Sequence, residues 1–371
     1  MRKNNIYIFI QKKLHLDLIF LYLILLLLLF SIMIVWSASN KNLHILNNKI
    51  IQIFIGLVIM LIIAQIPPRL YINCFFLFYI ICIFLLILVN ILGNTIKGAQ
   101  RWLDIGLFKF QPSEIIKVIL PLFLAQYFNN KSYTINIKQF FISILIIIIP
   151  TILVIKQPDL GTAILIDIAA ITILFLSGLS WRLIIINILF ILISLPILWF
   201  IIMHDYQRSR ILILLHPEND SLKTGYHILQ SKIAIGSGGL FGKGWLNGTQ
   251  TQLQFLPEKY TDFIFSVIAE EFGFVGVIIL ITVYILLIIR GIILALRLKN
   301  IFKQVIICGI MIILFFYIFI NISMVSGILP IVGVPLPLIS YGGSSLIMMM
   351  SNFGIIMSLY THDNYIKQKY F

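Results

Sequence analysis

Residues 262–289 read DFIFSVIAEEFGFVGVIILITVYILLII, an acid followed by a long apolar run. A helix needs about 20 apolar residues to cross the hydrocarbon core of a bilayer, so this run predicts a transmembrane helix. Asp262 stands at its edge, where a long polar loop ends. A carboxylate at the border of oil is costly to bury and useful for chemistry.

Nine further runs share the pattern, at 17–37, 49–66, 71–92, 113–128, 139–156, 160–177, 182–203, 304–327 and 341–360. The run at 113–128 is short and polar at its start, as in a broken or tilted helix. Of 371 residues, 61% are hydrophobic and 11% charged, against roughly 25% charged in a soluble domain. The expected fold is therefore all-α. It is a polytopic integral membrane protein of about ten transmembrane helices, one unit over residues 1–371. Residues 204–261 form its one large external loop.

Lys and Arg number 27 against 13 Asp and Glu, for a net charge of +14. The cations form no single patch, which argues against nucleic acid as partner. Arg69, Lys131, Lys138, Arg182, Arg290, Arg297, Lys299, Lys303, Lys367 and Lys369 fall on one side with Arg2, Lys3, Lys12 and Lys13. The positive-inside rule then puts both termini in the cytoplasm. Ser37-Ala38-Ser39 faintly resembles a signal-peptidase site, but the run before it is too long for a signal core. It reads as a retained first helix. Cys74, Cys82 and Cys308 lie in apolar runs without metal-ligand spacing and read as packing residues.

Polarity returns in a few islands. Lys97 to Gly106 includes Arg101 and Trp102, a pair that suits an interfacial anchor or a lipid diphosphate held by bidentate bonds. In Gln111 to Lys117, Pro112 opens a helix, Glu114 sits in its first turn, and Lys117 shares its face. A paired charge at membrane depth marks a functional site. In Gln157 to Thr162, Asp159 either caps the next helix or adds a carboxylate to the external face. Ile235 to Trp245 is glycine-rich but fits neither nucleotide-binding pattern; its exposed N–H groups suit anions at headgroups.

Around Asp262, Ser266 lies one turn on and Glu270 two, approaching one face. Asp262 reads as a general base or, with Thr261, as a helix cap. Ser326 to Ser345 is dense in Pro and Gly and contains Ser340, Gly342 and Gly343. Non-helical backbone at membrane depth is tolerated beside protein or water, so it should line a cavity. Asp167, in mid-span, has no assigned partner.

Taken together, these islands resemble the SEDS family (shape, elongation, division and sporulation) over nearly the whole chain and in family order. Ala64 to Arg69, Ser177 to Arg182 and Met203 to Arg208 resemble its elongation branch. The resemblance implies a ten-helix inner-membrane peptidoglycan glycosyltransferase. Such an enzyme polymerises lipid II on the outer face beside a class B penicillin-binding protein of the elongation complex. By motif match, Asp262 corresponds to the family's essential acid, and Glu114 and Lys117 to its functional pair. Arg101, Trp102, Asp159, Ser340, Gly342 and Gly343 are the expected substrate-binding residues. A sugar hydroxyl needs a base within hydrogen-bond reach, and a departing diphosphate wants cations. Mg²⁺ or Mn²⁺ suits a mixed carboxylate and phosphate site, though no dedicated metal cage is visible. A lipid II flippase and a non-catalytic scaffold for the penicillin-binding protein remain the alternatives.

Overall fold

A computed structural model describes residues 14–369 except 97–98, 105–108, 130–136, 180, 254, 257 and most of 184–223. The first half contains α1 (Leu18–Ala38), α2 (Leu43–Gln65), the short α3 (Pro68–Ile72), α4 (Phe75–Leu92), α5 (Pro112–Asn129), α6 (Ile137–Lys156) and α7 (Leu160–Leu176). In the described part of the long loop lie α8 (Thr224–Ser237) and α9 (Thr249–Gln252). The chain closes with α10 (Ile264–Leu296), α11 (Ile301–Val325) and α12 (Gly343–Lys369).

Among the described residues, seven helices are long and apolar enough to cross a membrane: α1, α2, α4, α6, α10, α11 and α12. The shorter α7 is apolar as well, and α5 occupies the remaining run that the described residues cover. Most of the run at 182–203, Arg2, Lys3, Lys12, Lys13, Lys97, Lys131 and most of Met203 to Arg208 lie outside the described residues. α11 and α12 are the most enclosed spans, and α12 packs along α2 while α11 packs between α7 and α10. Leu29, Phe54 and Phe84 face outward, a pattern that hydrocarbon tolerates and water does not.

One expectation needs correction. α5 is continuous through its internal Pro121 rather than broken. Between α4 and α5 the chain forms a small antiparallel sheet, β1 (Asn94–Ile96), β2 (Ala99–Asp104) and β3 (Lys109–Phe110), in that order. The stretch is polar and carries Gly93, Gly98 and Gly106, and its Thr95, Ile96, Trp102 and Phe110 favour extended backbone. Arg101 and Trp102 therefore sit on a strand.

α10 is interrupted at Gly273, whose φ is 65° and ψ −164°. The glycine-rich loop repairs that interruption. Lys243 N and Gly244 N donate to Glu270 O and Glu271 O, each at 3.0 Å. Phe274 N and Val275 N donate to Gly239 O at 2.9 Å and Leu240 O at 3.1 Å. These four groups would otherwise have paired with one another along the helix. A Cβ on Gly242 (φ 77°) would fall on the Glu271 carbonyl, and one on Gly273 would fall on Gly242 N. The glycines thus serve backbone contact, and the N–H groups of 243 and 244, read above as an anion cradle, are occupied by α10.

Candidate active site

Asp262 lies in the turn that leads into α10, half-buried. Neither it nor Thr261 caps the helix: Phe263 stands at the N-cap without a side-chain bond. Thr261 N and Phe263 N both donate to Glu258 O, at 3.1 and 3.3 Å, which rolls the chain into a tight turn. Ser266 donates to Phe263 O at 2.6 Å.

Facing this turn is the segment from Ile331 to Tyr341, which is not helical. A Cβ built on Gly333 (φ 72°) would lie 3.6 Å from Asp262 Oδ2. Three stitches close the seam. Asn321 Nδ2 donates to Asp262 O at 2.9 Å and to Val334 O at 2.7 Å. Ser340 Oγ donates to Thr261 O at 2.6 Å and accepts from Leu336 N at 2.8 Å. Tyr341 N donates to Tyr260 O at 2.8 Å, with the two rings edge to face.

The same segment presents its carbonyls to side chains of the surrounding helices. The Tyr284 hydroxyl donates to Pro337 O, and Ser31 Oγ donates to Ile339 O at 3.0 Å. Lys49 Nζ donates to Leu338 O at 3.2 Å and to Ser340 O at 2.8 Å. Irregular backbone away from water requires such internal partners. Ser31, Lys49, Tyr284 and Asn321 went unnoticed in the sequence. The one signal was polarity inside apolar runs, strongest for Lys49 and Asn321.

A second polar group lies where α5, α7 and α11 meet. Lys117 Nζ is 2.6 Å from Glu114 Oε1, with both residues buried, as their three-residue spacing predicts. Lys117 Nζ also lies 4.9 Å from the Tyr317 ring centroid. Asp159 caps α7 by accepting from Thr162 N at 3.2 Å. It accepts from Gln111 Nε2 at 3.3 Å and lies 3.6 Å from Arg101 Nε. Arg101 donates to Pro158 O and to Gln157 O, so it clasps the turn before α7. Its side chain keeps 23% exposure against 5% for Lys117, which leaves it the accessible cation of the two. Gly161 packs against Val332: a Cβ there would lie 2.5 Å from Val332 O. The start of α7 thereby abuts the segment that flanks Asp262.

Other expected residues have different duties. Ser340 is enclosed and spends its hydroxyl on the seam. Gly343 opens α12 against Gln52, whereas Gly342 has open space on its Cβ side. Trp102 is half-buried on β2. Glu270 turns away from Asp262. It accepts from Lys243 Nζ at 2.9 Å, Gln250 N at 2.8 Å, and Thr251 N and Oγ1 at 3.1 and 2.8 Å, fastening α9 to α10. Glu271 accepts from Ser37 on α1. Asp167 does have a partner: Thr151 Oγ1 on α6 donates to it at 2.7 Å.

A cleft of about 300 Å³ opens beside the Asp262 turn, with Asn40, Glu258, Lys259 and Tyr260 on its walls. Lys259 Nζ donates to Asn40 Oδ1 and Thr251 O, each at 2.6 Å. Burial pulls its pKa below the usual lysine range, and the charge of Glu271 opposes that shift. A larger cavity, about 470 Å³, lies at the opposite ends of α5 and α7, lined by Asn129, Ser177, Lys299 and Asn300 among others. It is remote from the acid and takes no part in the site. Among the described residues no three His, Cys, Asp or Glu converge to hold a metal ion.

A family model described as cell cycle protein, covering FtsW, RodA and SpoVE, matches residues 13–365. The peptidoglycan glycosyltransferase MrdB of Escherichia coli K12 is 55% identical over 350 residues, 94% of this chain and 95% of its own length. A probable peptidoglycan glycosyltransferase FtsW of Geobacter sulfurreducens is 35% identical over 358 residues, 93% of this chain and 95% of its own. Among solved structures, a chain from a study of how a peptidoglycan synthase complex coordinates polymerization and crosslinking superposes with a TM-score of 0.82. It is 28% identical and covers 94% of this chain and 98% of its own. The rod shape determining protein RodA of Thermus thermophilus superposes with a TM-score of 0.72 at 28% identity, covering 94% of this chain and 97% of its own.

Proposed function

Since the chain belongs to the SEDS family of FtsW, RodA and SpoVE and is a peptidoglycan glycosyltransferase of cell elongation, we propose that it polymerises lipid II with Asp262 as general base. The observation that carries this reading is the seating of Asp262. Its turn is stitched on three sides, and its carboxylate faces the small residue Gly333. A base so held is positioned before substrate arrives.

The acid takes the proton from the acceptor sugar's 4-hydroxyl. The oxygen attacks the anomeric carbon of the donor, the carbon–oxygen bond to the lipid diphosphate breaks, and direct displacement inverts that centre. Arg101, half-buried but the more accessible cation of the second group, stabilises the leaving diphosphate. Lys117 is neutralised by Glu114, so this pair orients the site. Among the described residues no three carboxylate, His or Cys side chains converge; a Mg²⁺ or Mn²⁺ ion held mainly by the diphosphate would need only one or two protein carboxylates. The protein lies in the bacterial inner membrane with cytoplasmic termini and Asp262 toward the outer face. There a class B penicillin-binding protein cross-links the product.

Purified protein given lipid II should yield glycan strands. Asp262→Ala should abolish them at an unchanged melting temperature; strand formation by that variant at the wild-type rate would refute the assignment.

A further inference from the structure

The geometry points to Asn321 as the positioning residue for Asp262, an inference that rests on the reading of Asp262 as the base. Asn321 lies on α11, fully enclosed, and its amide nitrogen serves backbone carbonyls. Its amide commits one N–H to the Asp262 carbonyl and the other to the Val334 carbonyl. Val334 follows Gly333, the residue facing Asp262 Oδ2. One planar group therefore sets the gap between the backbone of the acid and the backbone of the wall opposite its carboxylate.

Two details argue for this duty over simple packing. Turning the amide over would set Oδ1 against two carbonyl oxygens, so the orientation is fixed by the acceptors. In that orientation Oδ1 is buried without a hydrogen-bond partner. A leucine would fill the volume without an orphaned acceptor, but it would leave both carbonyls without their donor. Only a side chain with two donors on one nitrogen spans them at this length. Tyr317 lies one turn earlier on the same helix, beside Lys117. α11 thereby acts as a ruler between the acid and the Glu114–Lys117 pair.

The test uses the full-length protein with lipid II. Asn321→Asp keeps the shape and loses both donors; Asn321→Ala also loses them without adding charge. Both should lower kcat on the order of 10²-fold, the scale for a small misplacement of a catalytic group. KM for lipid II should stay at its wild-type value, with kcat counted per folded protein, because two carbonyls left without their donor also lower the melting temperature of Asn321→Ala. If Asn321→Asp does not accumulate, Asn321→Ala carries the same comparison. Wild-type kcat in Asn321→Ala would overturn the inference, as would a KM that rises in step with a loss of folded protein. Asp262→Asn, measured alongside, separates the two levels. If it is inactive while Asn321→Ala is fully active, the positioning role alone fails; if it is active, the base assignment fails and takes the inference with it.

Discussion

Asp262 and Gly333 face each other across a seam between two separate stretches of chain, with 3.6 Å from the carboxylate Oδ2 to the place a Cβ would occupy on the glycine. Gly333 also has φ of 72°, where an L-residue costs roughly 1–2 kcal/mol. Gly333→Ala should therefore strain the segment that faces the acid, although the new Cβ itself would only reach ordinary contact distance of the carboxylate. Lipid II polymerisation is expected to fall roughly tenfold or more; an unimpaired rate would mean that the wall can withdraw without moving the acid.

Glu114 and Lys117 are buried together at 2.6 Å. Removing one partner strands a charge, a loss of about 3–5 kcal/mol in comparable pairs. If the pair serves only orientation, Glu114→Gln and Lys117→Met should each lower the melting temperature more than the double variant does. Thermal unfolding in detergent measures this. A double variant that is well folded and still inactive would assign one of the two to substrate.

The loop that splices the break in α10 admits no side chain at Gly242, because a Cβ would land on the Glu271 carbonyl. Gly242→Ala should separate the loop from the helix. Hydrogen exchange should then rise at Lys243, Gly244, Phe274 and Val275 together, since these four amides share the junction. Exchange at one pair alone would show that the two halves of the junction are independent.

Lys49 is fully enclosed and serves the carbonyls of Leu338 and Ser340. Lys49→Met retains the length and removes both bonds. Amide exchange across 336–341 should accelerate and polymerisation should drop. Lys49→Arg, which keeps donors, should recover part of both.

Outside the spans, partial burial, and then the neighbouring His362, hold the His15 imidazole below its ordinary value. The rings stack at 3.9 Å between centroids. The folded state thus favours neutral His15, which contributes stability above about pH 6.5 that is lost as pH falls. Between about pH 7.5 and 5.5 the wild-type melting temperature should drop more than that of His15→Gln. An equal drop would assign the loss to other groups.

Much of the fold was legible because hydrocarbon imposes a simple rule on sequence: long apolar runs become helices. The helix opening at Pro112 and the Glu114–Lys117 pair followed from spacing alone. Asp159 was read two ways, and the structure bears out the cap while adding contacts to Gln111 and Arg101. What stayed hidden was tertiary. Nothing local in Asn321 or Tyr284 indicates that a segment from elsewhere in the chain will present carbonyls to them. Ser266 and Glu270 follow Asp262 at helical spacing, yet the helix begins after the acid, and Glu270 turns to the loop instead. The glycines of 236–244 suggested anion binding because a backbone's own partners are invisible until the helix break at Gly273 is seen.

The four carbonyls from Pro337 to Ser340 are claimed by α1, α2 and α10, and α11 holds Val334 and the acid itself. A nascent chain acquires these helices at widely separated times, so the cleft cannot take shape until the last has docked. Displacing any one of these helices therefore removes part of the bonding that seats the acid, so the wall and the carboxylate share one set of supports drawn from both halves of the chain.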